Sequence, residues 1–307
     1  MKPKARVLVC DPIHEAGIEK LRQAGFEVDV KLTISHDELR EAVSNYDALV
    51  VRSRTKVTNE IIEAGKQLKV IGRAGVGLDN IDLEIAEKQG ITVLNTPEAP
   101  AEAVAELTLG LMISLARKIS LADRAIKGGE WIKKKLEGWE LRGKTLGVVG
   151  LGNIGERVAK TAKAMGMKIL ITKRTPPKPE LLRELEGEFI PLPELLQRSD
   201  VVTIHVPLTP QTHHMIGAKE LQLMKDGAFL INTSRGAVVD GKALLEALRS
   251  GKLAGAALDV YETEPPRDQR LIGLPNVVCT CHIGAQTKEA QRAASIMIAE
   301  KIINSLK

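Results

Sequence analysis

The sequence predicts an α/β protein built from two doubly wound parallel-sheet domains. Short runs rich in Val, Ile and Leu alternate with helical patterns from end to end, which is how successive βαβ units read along a chain. At 307 residues the chain exceeds one ordinary core and matches about two domains of ~150 residues. The alternation also runs twice, on either side of one long apolar segment, so each domain is expected to own a sheet.

The first series places strands at residues 6–11, 26–30, 48–52, 69–73 and 92–95, with helices in the gaps. One of those helices opens with Ser35 and Glu38, the spacing of a capping box in which two otherwise orphaned amides are satisfied reciprocally. Residues 98–127 then carry apolar side chains at helical spacing, from Val104 through Leu111 to Leu121, and stop at Gly128-Gly129. That segment is expected to bridge the domains. The second series places strands at residues 145–149, 168–172, 201–206, 228–232, 255–260 and 277–280, six in all, the number in a dinucleotide-binding sheet. Residues 288–306 read as one final helix. The expected division is a discontinuous outer domain of residues 1–96 plus 283–307 and an inner domain of residues 97–282, with substrate in the cleft.

Composition narrows the partners. The hydrophobic fraction is 44% and the charged fraction 27%, ordinary for a chain that buries a core. A net charge of +5, spread evenly, defines no nucleic-acid groove, and three Phe, two Tyr and two Trp offer few platforms for base stacking. A small anionic molecule suits the basic surplus better. The longest apolar stretch, residues 107–116, is far short of the ~20 residues that span a bilayer. Three cysteines, Cys10, Cys279 and Cys281, make an odd count, and Met1-Lys2-Pro3-Lys4-Ala5-Arg6 lacks an apolar signal core. A reducing cytoplasm is therefore the expected compartment.

Gly150-Leu151-Gly152-Asn153-Ile154-Gly155 follows the strand at residues 145–149 and precedes a helix expected over residues 156–165. Glycines alone are a weak pattern, but strand and helix on either side supply the context its chemistry requires. Gly150 permits the tight turn, Gly152 lets a pyrophosphate approach bare backbone, and Gly155 lets the helix pack on the sheet. The helix amino terminus attracts the phosphates. Both sheets are accordingly expected to be Rossmann-like.

An NAD site usually closes its second strand with an acidic residue for the adenosine ribose. Here that place reads Ile171-Thr172-Lys173-Arg174-Thr175. With no carboxylate and two cations where a 2′-phosphate would lie, the expected cofactor is NAD or NADP, with NADP(H) favoured by Lys173 and Arg174. The alternative is that both are solvated loop charges.

Three more strands end in polar turns, carrying Arg235, then Asp259 and Glu264, then His282. In a parallel sheet all carboxyl ends share the edge that holds the glycine loop, so Arg235, Glu264 and His282 are expected to converge. An imidazole, with an unperturbed pKa of about 6.5, can take a hydroxyl proton and return it. A paired carboxylate orients the ring, and an arginine holds a carboxylate or keto oxygen bidentately. The trio suits hydride transfer at a secondary alcohol. Val206, Pro207, Thr233, Ser234, Gly284 and Ala285, at the same edge, complete the expected cofactor site.

Val51-Arg52-Ser53-Arg54-Thr55-Lys56-Val57-Thr58, Gly72-Arg73-Ala74-Gly75-Val76-Gly77-Leu78-Asp79-Asn80, the glycine loop, residues 232–240 and 258–266, and His282-Ile283-Gly284-Ala285 follow one another in a recognisable order. From end to end the chain resembles the D-isomer-specific 2-hydroxyacid dehydrogenase family, in its phosphoglycerate-oxidising branch. The resemblance implies that His282 is the acid/base, Glu264 its partner and Arg235 the substrate-orienting cation. It implies that Asp259 lies near the nicotinamide carboxamide and that Gly75 and Val76 offer amides to the substrate carboxylate. Arg52, Arg54 and Arg73 match cations that receive a 3-phosphate, with Lys133 reaching over from a partner subunit. Arg52 and Arg54, alternating along an extended run, would share one face of it.

The implied activity is the interconversion of 3-phosphoglycerate and 3-phosphohydroxypyruvate, the first step of the phosphorylated route to serine, in a homodimer or higher homo-oligomer. Two departures stand out: Lys173-Arg174 replaces the usual acid, and Cys281 replaces the usual proline before the histidine. The chain ends 25 residues after His282, so regulatory carboxy-terminal domains and serine feedback are not expected.

Two rivals remain open. A glyoxylate or hydroxypyruvate reductase fits because Thr172-Lys173-Arg174-Thr175 and Met215-Ile216-Gly217 resemble that branch too, although a two-carbon keto acid needs no phosphate clamp. A non-enzymatic, dinucleotide-sensing corepressor-like protein shares the fold, and the trio argues against it. Cys279-Thr280-Cys281-His282 has poor spacing for zinc, so no metal is expected. His213-His214 reads as surface loop, and Lys133-Lys134-Lys135 as either a solvated face or the subunit-crossing clamp.

Overall fold

The computed structural model describes residues 4–306; the remaining terminal residues assigned above to the outer domain lie outside them. The chain divides into two compact units, one formed by the described residues up to Ala101 together with those from Ala285 onward, the other by Glu102–Gly284.

The outer unit holds β1 (Arg6–Val9), β2 (Glu27–Val30), β3 (Ala48–Val51), β4 (Val70–Arg73) and β5 (Thr92–Leu94), all parallel, in the order β2-β1-β3-β4-β5. This is the flavodoxin-like doubly wound order, whose switch point lies between the first and third strands. β1 and β3 are apolar nearly throughout because helices cover both sheet faces. One face packs Leu8, Leu49 and Ile71 with Leu39 and Ile61; the other packs Val7, Val9, Val50 and Val70 with Ile298 and Ile302 of the last helix, Lys288–Ser305. Helix His36–Ala42 has the expected capping box, with Ser35 N donating to Glu38 Oε2 at 2.8 Å and Glu38 N to Ser35 Oγ at 3.3 Å.

The inner unit holds β6 (Thr145–Val149), β7 (Lys168–Thr172), β8 (Glu188–Phe189), β9 (Val201–Ile204), β10 (Ala228–Asn232), β11 (Leu253–Leu258) and β12 (Val277–Cys279), parallel, in the order β12-β11-β10-β9-β6-β7-β8. The strand order reverses between β6 and β9, which is the ligand-binding switch point of a Rossmann sheet. It has seven strands where six were expected. The extra one, β8, spans only two residues and pairs with β7 at the sheet edge, too short to show a period.

Residues 98–127 are not one helix. Helix Ala101–Ala116 ends and helix Ile119–Lys127 begins around Lys118, whose φ of 53° is left-handed. The returning chain fixes the break, because Trp139 N donates to Ala116 O at 3.0 Å and so takes a carbonyl that a continuous helix would have used itself. The first helix buries Leu109, Met112 and Leu115 against Leu146, Val148 and Ile169. The second buries none of its residues.

Candidate active site

The glycine loop sits at the switch point. Gly150 has a φ of +96°, and a Cβ there would come within 2.7 Å of His205 O and 2.8 Å of Val206 Cγ1 on the neighbouring strand end. Gly155 packs directly on the Gly150 carbonyl. Gly152 differs from both: nothing lies within 4 Å of where its Cβ would be. The helix starts at Asn153, three residues earlier than expected, with Gly152 as its cap and no side-chain cap bond. Asn153, Ile154 and Gly155 are therefore its first turn, whose amides lack intrahelical partners. A bare, uncapped helix start with open space before it fits a dinucleotide pyrophosphate.

The end of β7 places Lys173 and Arg174 next to that loop, but not on equal terms. Lys173 Nζ donates to Leu151 O at 3.2 Å and is partly buried, so it braces the glycine loop. Arg174 is exposed.

Past β9, His205 N donates to Val149 O at 2.7 Å, and the ring meets Thr203 Oγ1 at 2.9 Å through Nε2. Its Nδ1 is buried without a hydrogen-bond partner. Burial pushes the pKa of this imidazole down to about 3, so His205 is neutral at working pH and unsuited to acid/base chemistry. Val206 packs beside Gly150.

Past β10, the buried Asn232 builds the turn that carries Arg235. Its Oδ1 accepts from Ser234 N at 3.0 Å and Ser234 Oγ at 2.9 Å, and its Nδ2 donates to Arg235 O at 2.9 Å. Arg235 Nη1 in turn donates to Ser234 O at 2.7 Å. Thr233 Oγ1 meets Thr108 Oγ1 at 2.9 Å, tying the turn to the helix Ala101–Ala116. Gly236 lies against the Tyr261 backbone with no room for a Cβ, which brings the Arg235 turn onto the loop after β11.

That loop carries Glu264, and His282 lies after β12. His282 Nδ1 and Glu264 Oε2 are 2.7 Å apart, while Tyr261 N donates to Glu264 Oε1 at 3.2 Å. A carboxylate on Nδ1 holds the proton there and leaves Nε2 as the nitrogen that exchanges a proton with substrate. His282 has a φ of 55°, a conformation that costs a non-glycine residue energy unless its surroundings hold it.

Asp259 supplies that hold. It is 1% exposed, and its carboxylate accepts from Thr280 Oγ1 at 2.7 Å, Ile283 N at 2.9 Å and Gly284 N at 2.9 Å, while its carbonyl accepts from His282 N at 2.8 Å. The resemblance implies a place for Asp259 near the nicotinamide, and in the structure its bonds also shape the His282 loop. Asn232 was missed as a positioning residue because a strand-terminal Asn carries no distinctive local signal.

In the outer unit, β3 and β4 pair Val51 with Arg73, so the residues that follow them lie side by side. The expected extended run through Arg52 and Arg54 is corrected: β3 stops at Val51, and the chain bends at Ser53 and Arg54. Arg54 turns onto the buried Asp11, with Nε donating to Oδ1 at 3.0 Å and Nη2 to Cys10 O at 2.5 Å. A buried carboxylate demands a cation. Arg52 donates from Nη1 to Pro12 O at 3.2 Å. The Arg73 guanidinium fills the space beside Gly75 where a Cβ would go. Gly75 N–H, expected to face substrate, donates to Arg73 O at 2.9 Å where the chain turns back, and Val76 O accepts from Asn95 Nδ2 at 2.7 Å. Lys133 lies in an exposed turn, Lys133–Lys135. Pro207 follows Val206 past β9, and Ala285 is the residue at which the chain passes to the outer unit.

A seven-stranded Rossmann sheet with this glycine loop, and a carboxylate-paired histidine at its strand ends, defines a dinucleotide-binding fold. The chain belongs to the D-isomer specific 2-hydroxyacid dehydrogenase family: residues 109–284 match the family's NAD-binding domain. It is 50% identical over 298 residues to a D-3-phosphoglycerate dehydrogenase of Methanocaldococcus jannaschii, covering 97% of this chain and 56% of that protein. The chain thus spans little more than half the length of that relative. A hydroxypyruvate reductase of Thermotoga maritima is 49% identical over 307 residues, covering 98% of both chains. The crystal structure of a glyoxylate reductase from Paecilomyes thermophila superposes with a TM-score of 0.92 at 33% identity, covering 100% of this chain and 96% of that one. Among the described residues, no helix is long and apolar enough to cross a membrane.

Proposed function

We propose that the protein interconverts a D-2-hydroxy acid and its 2-keto acid, and that the physiological pair is 3-phosphoglycerate and 3-phosphohydroxypyruvate. The 2.7 Å contact between His282 Nδ1 and Glu264 Oε2 carries the reaction class. A nicotinamide dinucleotide held at the Gly150–Gly155 loop would supply or accept the hydride. In oxidation, His282 Nε2 takes the proton of the 2-hydroxyl, and Glu264 stabilises the imidazolium that results. In reduction the same nitrogen returns it to the developing alkoxide. Arg235, on its Asn232-built turn, orients the substrate carboxylate, because two parallel guanidinium bonds fix both position and plane.

The phosphorylated substrate is supported by Arg52 and Arg73 at the carboxyl edge of the outer sheet, and by the relative from Methanocaldococcus jannaschii. A second reading, reduction of hydroxypyruvate or glyoxylate, is favoured by the engagement of Arg54 with Asp11 and by the relative of matching length from Thermotoga maritima. Initial rates decide between them: Arg52→Ala raises the KM for 3-phosphoglycerate at least tenfold more than that for glyoxylate under the first reading, and equally for both under the second.

The cofactor proposed as preferred is NADP(H), on Arg174 in place of a ribose-binding carboxylate. A homo-oligomer is proposed from the helix Ile119–Lys127 and the turn beyond it, where Trp131 is 80%, Ile126 56% and Ile119 50% exposed; such clustered apolar exposure marks an interaction surface. Lys133 lies two residues from Trp131, which supports its placement at that surface. Three free thiols support a reducing, cytoplasmic compartment.

A further inference from the structure

The buried carboxylate of Asp11 takes no part in the chemistry described above, yet it organises the loop after β3. Asp11 follows β1, which lies beside β3 in the outer sheet, and is 1% exposed. Its Oδ2 accepts from Arg52 N at 2.5 Å and Thr55 N at 3.2 Å; its Oδ1 accepts from Thr55 Oγ1 at 2.7 Å and Arg54 Nε at 3.0 Å. From the other side, Asn80 Nδ2 donates to the carbonyls of Arg52 at 2.8 Å and Thr55 at 2.6 Å. Residues 52–55 are therefore gripped through their amides by Asp11 and through their carbonyls by Asn80. Each partner lies 25 or more residues away from at least one of the groups it holds.

We propose that Asp11 is a positioning residue for capture of an anionic substrate, acting through Arg52. Charge-assisted bonds to a carboxylate are strong and directional, so the backbone from which Arg52 projects is ordered before substrate arrives, and that ordering entropy is not charged against binding. Arg54 has a different duty from Arg52. It supplies the cation that a buried carboxylate needs if it is not to destabilise the fold. The two arginines of one motif thus divide into a substrate contact and a counter-ion. This rests on the reading of Arg52 as a substrate contact.

The test is a double-mutant cycle on the full chain, measuring kcat and KM for 3-phosphoglycerate and cofactor affinity by fluorescence titration. Arg52→Ala and Asp11→Asn are each expected to raise KM about tenfold, the value of one charge-assisted bond, with kcat and cofactor affinity within about twofold. The double variant is expected to be no worse than Arg52→Ala, because Asp11 acts through that side chain. Unchanged KM in Asp11→Asn with a raised KM in Arg52→Ala would overturn the proposal alone, as would a further tenfold loss in the double variant. An unchanged KM in Arg52→Ala overturns the reading of Arg52, and the proposal with it. If Asp11→Asn does not fold, Thr55→Val removes a single bond to Asp11 and is expected to raise KM about threefold at constant kcat; lowered thermal stability with unchanged KM would show a purely structural role and refute positioning.

Discussion

Replacing Glu264 by Gln keeps the shape of the His282 partner and removes its charge. The contact is 2.7 Å long, and the two side chains are 47% and 39% exposed. A charge-assisted hydrogen bond contributes about 1.5–3 kcal/mol when protected from water, and solvent on both groups brings it to about 1–1.5 kcal/mol. At 1.36 kcal/mol per factor of ten, Glu264→Gln is expected to lower kcat about tenfold. His282→Asn, which removes the proton-transferring group itself, is expected to lower it about 100-fold or more. Neither should change cofactor affinity appreciably, since the glycine loop lies on other strands. Steady-state oxidation of 3-phosphoglycerate, with fluorescence titration of the reduced cofactor, measures both quantities. The decisive variant is the double one: Glu264 acts through the imidazole, so Glu264→Gln should cost almost nothing once His282 is Asn. A further tenfold loss there, or near-normal turnover in His282→Asn alone, would refute this assignment.

Arg174→Ala is expected to weaken NADP(H) binding about tenfold while leaving NAD(H) within about twofold; Lys173→Ala, which unties Leu151 O, should weaken both alike, and fluorescence titrations at two salt concentrations check this. Trp131→Ala combined with Ile126→Asp is expected to lower the solution mass measured by light scattering, and a parent chain that is monomeric at every concentration would remove the proposed interface. His205, with its pKa near 3 in the fold against about 6.5 unfolded, rejects a proton that the unfolded chain accepts between those values. Stability should therefore fall as pH drops through that window, by up to about 1.4 kcal/mol per unit from this group. In urea unfolding at pH 4.5, 5.5 and 6.5, His205→Gln should show a shallower slope than the parent, and equal slopes would contradict the assignment.

The strands and the glycine loop were legible because consecutive residues encode them. A buried parallel strand is a short apolar run, a helix start shows its capping pair, and Gly150 and Gly155 are demanded by contacts within a few residues or at one strand end, with Gly152 completing the spacing of the motif. The meeting of Glu264 and His282 was legible for a related reason, since a parallel sheet sends every strand end to one edge wherever the strands stand in it. Boundaries were less so: the helix at Asn153 begins inside the motif, and β11 starts two residues before its expected place.

By itself, then, the sequence determined two parallel-sheet units, the glycine loop and the placing of Arg235, Glu264 and His282 after strand ends of one sheet, all properties of local pattern plus one shared edge. Only the tertiary structure decided what the remaining polar side chains do. Arg54 neutralises Asp11 because β1 and β3 are neighbours in the outer sheet. Lys173 braces Leu151 because β7 lies beside β6, and Asp259 shapes the His282 loop because β11 lies beside β12. Each partner is set by strand order, and strand order follows from how whole faces bury against helices, so no window of neighbouring residues contains it.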